Sequence, residues 1–375
     1  MRVGIDAREI EEGVRTGIGR ALSVFLEHVP AVDPDCHCVL FSTREIPCKP
    51  APHLRNVVRP ERWTFAWDQR TLPRLAREDQ IDVLLSPYYK VPLQCPCPRV
   101  STIFDLMYLY CDVYRANSSL FNRLYYRVFG TMMTRAAAAI FTCSEYSKAE
   151  IVRFYRVAGD KVHVVPLGLD PHYRPSADTK DSRATKRRFG ITHDYILYVG
   201  NFKPHKNVSA LIDAFEGIRR KRPDVQLVLA GAKDEHFARL EPVIATSDSR
   251  DAVVTTGTVS LQEQIDLYSA AVVCVVPSLY EGFGYPALEA MACGSPIVCS
   301  NRTSLPEVYG EAAVGVDPAD IGAIERGVLS LLKNRGRREE LRERGLRRAE
   351  QFGAQEYARG LYSLLALSTG SNTGR

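Results

Sequence analysis

No stretch of the chain approaches the roughly 18 to 20 uncharged apolar residues that a membrane-crossing helix requires, so no helical span is expected. No targeting segment is expected either. The first ten residues, MRVGIDAREI, begin as a strand with early charges, which fits neither a signal nor a transit peptide, and a cytoplasmic protein is expected, soluble or resting on the inner face of the membrane. There is little excess of one charge: 49 Lys and Arg against 44 Asp and Glu give +5, too small to demand a nucleic-acid partner. Zinc-type spacing is absent. Cys36-His37-Cys38 and Cys95-Pro96-Cys97 leave one residue between thiols, not the usual two to four, and apart from His37 no histidine follows at ligand distance. The 10 cysteines are diluted over 375 residues without a secretory leader, so reduced thiols are expected rather than a disulfide framework. Asp33-Pro34-Asp35 is formally an acidic D-x-D pair, but it falls in a proline turn between helix and strand and reads as solvated. No metal site is expected.

The glycines of Thr16-Gly17-Ile18-Gly19-Arg20 follow a buried strand at Val3–Ala7, yet they lack the full dinucleotide spacing and the acidic residue about twenty positions on. A nicotinamide-type fingerprint is therefore excluded. Tryptophan is scarce as well, with 2 in the chain. Trp63 and Trp67 precede a helix around Asp68–Glu78, and an acceptor-stacking platform and ordinary helix packing both fit them.

What the chain does have is length for two domains and 45% hydrophobic residues, enough for two cores. The second half alternates strands at Tyr195–Val199, Val225–Ala230, Val253–Thr256, Val272–Val276 and Pro296–Ser300 with helices near 207–221, 234–246 and 261–270. That rhythm predicts a doubly wound parallel sheet, whose ligands bind at the strand carboxyl ends. In the first half, strands at Cys38–Ser42, Ile81–Ser86, Val100–Asp105, Ala139–Cys143 and Lys161–Pro166 are expected. Residues 174–188 are polar and aperiodic and read as a linker. In the helix over 117–140, Leu120, Phe121, Leu124, Tyr125, Val128, Phe129 and Met132 recur at helical spacing among Arg123, Arg127 and Arg135. Core packing is the default for such a stripe, and contact with anionic lipid is the alternative.

The densest signal is residues 276–306, VPSLYEGFGYPALEAMACGSPIVCSNRTSLP. An apolar strand breaks at Pro277-Ser278 into a glycine turn, and Pro286 then opens a helix of about two turns that Gly294 closes. Backbone N–H groups of the turn and the helix N-terminus favour phosphate oxygens. Glu281 and Glu289 flank that spot, separated by seven residues. Like charge keeps them from the phosphates, so they are expected to accept hydrogen bonds from hydroxyls. A diphosphate between two polyols, a nucleotide sugar, meets both conditions.

Glu281, Glu289 and the surrounding EGFGYPALEAMACGSPIV resemble the donor-site motif of retaining GT-B glycosyltransferases of family four, the group 1 glycosyltransferases, in the manner of bacterial polysaccharide and O-antigen mannosyltransferases. The resemblance is strong over about 195–310 and looser in the first half. It implies an α/β GT-B fold, two Rossmann-like domains facing a cleft: residues 1–172 for the acceptor, a linker over 173–190, residues 191–352 for the donor, a helix over 353–367 crossing back to the first domain, and a disordered tail from 368 to 375. It further implies that Gly17 and Gly19 face the donor diphosphate and acceptor. Gly200-Asn201-Phe202-Lys203-Pro204-His205-Lys206-Asn207 stands where the family carries a glycine, a basic residue and a lysine. Lys206, helped by Lys203 or His205, would neutralise the leaving diphosphate. Asn201, Gly282, Phe283, Gly284 and Tyr285 would line the donor, Val259 would lie beside the nucleobase, Glu281 would hold sugar hydroxyls and Glu289 the ribose diol. Asp105 falls where the family has a His-Asp pair, but Phe104 replaces the histidine.

The activity implied is hexosyl transfer with retention, most directly of mannose from GDP-mannose to a lipid-linked oligosaccharide or polysaccharide hydroxyl, with no cofactor or metal required. The implied partners are the nucleotide sugar, a glycan acceptor and an anionic membrane surface. A UDP-hexose donor is the alternative, with an epimerase or phosphorylase as further enzymatic rivals. A nucleotide-sugar-binding regulatory subunit is the non-enzymatic reading, favoured by Phe104 alone.

Overall fold

A computed structural model of the chain describes residues 1–10, 16–46, 51–87, 89–110, 120–176 and 179–370, with side chains at 110, 120–126 and 179–181 set aside. It divides into two compact units. Met1–Asp170 joins the segment from Phe352 onward, and Pro171–Gln351 forms the second unit.

The first unit is built on a parallel sheet of β1 (Arg2–Asp6), β2 (His37–Ser42), β3 (Leu54–Val58), β4 (Val83–Pro87), β5 (Arg99–Thr102), β6 (Ala139–Thr142) and β7 (Val162–Val164). Their order is β3-β2-β1-β4-β5-β6-β7, with Val3 opposite both Cys38 and Val83. Runs such as Val83-Leu84-Leu85 are apolar without alternation because helices cover both faces of a parallel sheet. β3 escapes sequence reading. It is an edge strand of Leu-Arg-Asn-Val-Val in which only Val57 is buried, so no apolar period marks it.

In the second unit β8 (Asp194–Val199), β9 (Val225–Ala230), β10 (Val253–Gly257), β11 (Val273–Val276), β12 (Ile297–Ser300) and β13 (Ala313–Val316) lie in the order β10-β9-β8-β11-β12-β13, all parallel. Both sheets thus reverse direction after their first strand. The core between this second sheet and its helices includes Leu211, Phe215, Leu227, Val275, Val298 and Leu331.

Three expectations need correction. Residues 173–190, expected as a linker, belong to the second unit and contain a helix at Thr179–Arg188. Its apolar content is low, but Thr185 is buried and donates its hydroxyl to Asp266 at 2.9 Å, so polar anchoring replaces the missing stripe. The helix expected over 234–246 is divided into a 3-10 turn at Phe237–Arg239 and a helix at Glu241–Thr246, where Pro242 sits in the first turn. In the helix Leu120–Ala136, Val128, Phe129 and Met132 point outward while Gly130, Met133 and Thr134 are buried. Gly130 sets this rotation, because a Cβ there would stand 3.0 Å from the Tyr155 ring. Leu120, Phe121, Leu124 and Tyr125 lie outside the described side chains.

The C-terminal helix Ala354–Ser368 buries Tyr357, Leu361, Leu364 and Leu365 within the first unit. Tyr362 donates to Asp33, so that turn carboxylate holds the last helix to the turn before β2. Of the tail expected to be disordered, residues 371–375 lie outside the described residues.

Candidate active site

In an open α/β sheet, loops diverge from the carboxyl ends of neighbouring strands where strand order reverses, leaving room for a ligand. In the second unit those strands are β8 and β11. The loop after β8 contains the basic segment 201–207, and the loop after β11 contains 277–284.

The β8 loop is shaped by backbone demands. Gly200 has φ +153°, and a Cβ on Gly231, at the end of β9, would lie 2.1 Å from the Gly200 carbonyl oxygen, so only glycine permits this approach. Tyr198 donates to the Asn201 carbonyl at 2.5 Å, and Asn201 Oδ1 accepts the Lys203 N–H at 3.3 Å. A 3-10 turn at Pro204–Lys206 leads to Asn207, in left-handed conformation, ahead of the helix Val208–Lys221. Asn207 Nδ2 donates to the carbonyls of Pro277 at 3.2 Å and Pro318 at 2.8 Å, stitching the β8 loop to the β11 loop.

Across this junction Lys206 Nζ meets Glu281 Oε1 at 2.6 Å, the two side chains 12% and 11% exposed. Ser278 Oγ donates to the same oxygen at 2.7 Å. Burial alone would raise the Glu281 pKa, but Lys206 and His205, with the Lys206 and Ser278 hydrogen bonds, outweigh it and leave it below the usual carboxylate range. His205 is buried, its carbonyl accepting from Leu279 N–H at 2.7 Å. Desolvation and then repulsion from Lys206 bring its pKa down to about 4, so it is neutral near pH 7. Of the two helpers expected for Lys206, His205 is therefore not a cation near pH 7.

The helix Tyr285–Ala292 starts beside this pair. Pro286 occupies its first turn, and Gly284 before it has φ +116°. A Cβ on Gly284 would meet Leu305 at 2.5 Å. Phe283 and Tyr285 are buried and pack edge to face, centroids 5.4 Å apart. The first-turn N–H groups of such a helix have no intrahelical acceptor and carry partial positive charge. Glu289 is 1% exposed, and its Oε2 accepts from Gln264 Nε2 at 3.0 Å and Tyr268 OH at 3.2 Å. Val259 lies between β10 and the helix Leu261–Ala270, whose start is closed by a Ser260–Glu263 capping box.

The structure therefore brings together Lys206, Glu281, His205 and the turn 282–285. Gly17, Gly19 and Asp105 belong to the first unit. A Cβ on Gly19 would lie 2.6 Å from the Glu9 carbonyl oxygen, so the fold itself requires a glycine there, while Gly17 has open space around it. Asp105 Oδ1 accepts the Met107 N–H at 3.0 Å, closing the turn after β5. Phe104 is 8% exposed and stacks edge-on against Phe141 at 5.3 Å, and its carbonyl accepts from Ser147 Oγ at 2.7 Å. The two tryptophans separate: Trp67 is buried beneath the Arg8 guanidinium, and Trp63 is 75% exposed.

Several site residues carry no sequence signal. Thr303 has φ +57°, a strained conformation for a β-branched residue, and its Oγ1 accepts the Glu281 N–H at 3.1 Å. Ser304 Oγ donates to the carbonyls of Glu281 at 2.8 Å and Phe283 at 3.0 Å, fixing the turn from below. In the first unit, Asp6 at the end of β1 and Asp68 clamp Arg8 at 2.7 and 2.6 Å. Burial pushes Asp68 up to about 6 despite the Arg8 charge.

Two Rossmann-like parallel sheets in one chain, each with its own switch point, place the fold in the GT-B class. Residues 17–173 match the model of Glycosyltransferase Family 4 and residues 181–348 that of Glycosyl transferases group 1. The chain belongs to this family, the group 1, family 4 glycosyltransferases. It is 34% identical over 218 residues to O-antigen chain mannosyltransferase B of Escherichia coli, the match covering 58% of this chain and 57% of that protein. It is 36% identical over 231 residues to the MMP alpha-(1->4)-mannosyltransferase of Mycolicibacterium hassiacum, covering 60% and 53%. The match thus spans little more than half the length of either relative. Among solved structures, sucrose-phosphate synthase from Thermosynechococcus elongatus superposes with a TM-score of 0.82 at 20% identity, covering 99% of this chain and 100% of that one. WaaG, a glycosyltransferase involved in lipopolysaccharide biosynthesis, gives 0.77 at 15% identity with 100% of both chains covered. These likenesses carry the fold.

Proposed function

We propose that the protein transfers mannose from GDP-mannose to a hydroxyl of a lipid-linked oligosaccharide or polysaccharide intermediate, with retention of anomeric configuration. The observation that carries this reading is the Lys206–Glu281 pair at 2.6 Å, set between the β8 and β11 loops and beside the N-terminus of the helix Tyr285–Ala292. Lys206, Lys203 and the helix N-terminus would bind the diphosphate and take up the charge that builds as the glycosidic bond breaks. Glu281, kept ionised, would accept hydrogen bonds from donor-sugar hydroxyls, and Glu289 would reach the ribose diol. With the leaving phosphate assisting deprotonation of the acceptor, the reaction needs no nucleophilic carboxylate and no metal. The mannosyltransferase relatives support mannose as the sugar.

Acceptor binding falls to the first unit in this reading. Val128, Phe129 and Met132, exposed between Arg127 and Arg135, support contact with an anionic membrane surface from which a lipid-linked acceptor would be taken. The test is transfer from radiolabelled GDP-mannose and from UDP-hexoses by wild type, Lys206→Ala and Glu281→Gln. Loss of one charge-stabilising group costs roughly 10²- to 10³-fold in kcat. Such losses with GDP-mannose as the productive donor are expected. Full activity in either variant overturns the site assignment, and transfer from a UDP-hexose alone overturns the donor.

A further inference from the structure

At the end of the first sheet away from the strand carboxyl ends, the chain returning from β4 passes through Cys95-Pro96-Cys97-Pro98 before entering β5 at Arg99. The two Sγ atoms are 3.6 Å apart. Cys97 is buried in a cluster with Trp67, Leu72, Leu75 and Leu84, and Cys95 packs at its rim. Among the described cysteines, Cys95 alone is not buried. Each cysteine precedes a proline, which confines its backbone to extended conformations and so keeps the two side chains, two residues apart, on one face of the chain.

The surroundings are cationic. Arg99 Nη1 donates to the Leu93 carbonyl at 2.9 Å and Nη2 to Ala136 at 2.6 Å, while its Nε is buried without a hydrogen-bond partner. A hydrogen bond from Cys97, with smaller help from Arg99 and Arg77, outweighs burial and brings the Cys95 thiol down to about 7. The same hydrogen bond, and then burial, hold Cys97 protonated. One sulfur is thus partly accessible with its pKa brought down, and the other is buried beside it with its pKa raised.

We propose that Cys95 and Cys97 form a reactive dithiol site that closes to an intramolecular disulfide by exchange with a small-molecule disulfide of the glutathione type. The Cys95 thiolate attacks one sulfur of the oxidised reagent, forming a mixed disulfide and releasing one reduced thiolate. Cys97 then passes its proton to a released thiolate or to water and attacks Cys95 Sγ, displacing the second reduced thiol. The two cysteines lose two electrons and two protons, and the reagent gains both as two thiols. The site is separate from the β8 and β11 loops and makes no use of the donor.

The test treats the full-length protein with oxidised glutathione near neutral pH, blocks remaining thiols with iodoacetamide and reads peptides by mass spectrometry. The expected wild-type result is one peptide carrying both cysteines, lighter by two hydrogens, protected from alkylation and restored by dithiothreitol. Cys97→Ala should accumulate a glutathione adduct on Cys95, and Cys95→Ser should leave Cys97 unmodified. Wild-type protein in which both thiols stay alkylatable, or in which an adduct persists without closing, overturns the proposal. So does equal labelling of Cys97 in Cys95→Ser.

Discussion

His205 illustrates how a single side chain can look like one kind of group and act as another. Its position in a basic loop suggests a cation, but burial and Lys206 leave it neutral in the fold with a pKa of about 4. The unfolded chain has a histidine near 6.5, so it binds the proton first as pH falls. The folded-state value is depressed, so the contribution to stability is fully present above about pH 6.5 and is lost as pH falls toward about 4. Between pH 7 and pH 5 this amounts to about 2 kcal/mol. Urea unfolding should therefore show a smaller loss over that interval in His205→Asn than in wild type, by about this amount. Parallel loss in both would mean that His205 is protonated in the fold. The Lys206–Glu281 pair sets a second lesson at this scale. Both members are nearly buried, and deleting one leaves an uncompensated charge worth roughly 3–5 kcal/mol. Glu281→Gln also removes the counter-charge of Lys206, but it keeps the side chain's volume and an accepting oxygen for Lys206 and Ser278, so it disturbs the fold less than alanine does.

Between elements, the helix Thr179–Arg188 shows that polar anchors can fix a segment lacking an apolar face. Asp266, 2% exposed on the helix Leu261–Ala270, accepts from Ser176 Oγ at 3.1 Å, Thr185 Oγ1 at 2.9 Å and Gln262 Nε2 at 3.0 Å. A hydrogen bond to a charged group contributes roughly 1.5–3 kcal/mol. Asp266→Ala should free residues 179–188, read as faster amide exchange there, with little change in the helix Val208–Lys221. Unchanged exchange at 179–188 would show that the anchoring comes from elsewhere. The same contrast explains what the sequence reveals. Elements with a dense apolar run or a proline–glycine frame, such as Val225–Ala230 and Pro286 to Gly294, are legible because their signal is local. Edge strands Leu54–Val58 and Ala313–Val316 are not, since each buries little. Likewise Lys206 and Glu281 can be picked out by type and spacing. Thr303, Ser304, Gly231 and Asn207 cannot, because their roles come from carbonyls and N–H groups distant in sequence. The packing demand on Gly19 is hidden in the same way, because the close neighbour is the Glu9 carbonyl.

At the scale of the whole molecule, the first unit is discontinuous: its C-terminal helix is made only after the entire second unit in chain order. That helix buries Leu361 completely, and truncating a core leucine costs roughly 2–5 kcal/mol, a large share of a unit's total stability of about 5–15 kcal/mol. Leu361→Ala should therefore lower the melting transition of the first unit. A donor bound by the loops after β8 and β11 acts on the second unit instead, and at a hundredfold excess over its Kd stabilises that unit by about 2.7 kcal/mol. Differential scanning calorimetry of wild type and Leu361→Ala, each with and without GDP-mannose, should then show two transitions moved independently, one by the substitution and the other by the nucleotide sugar. A single transition displaced by both would instead make the two units one cooperative block, with the last helix coupling the stability of one sheet to ligand binding on the other.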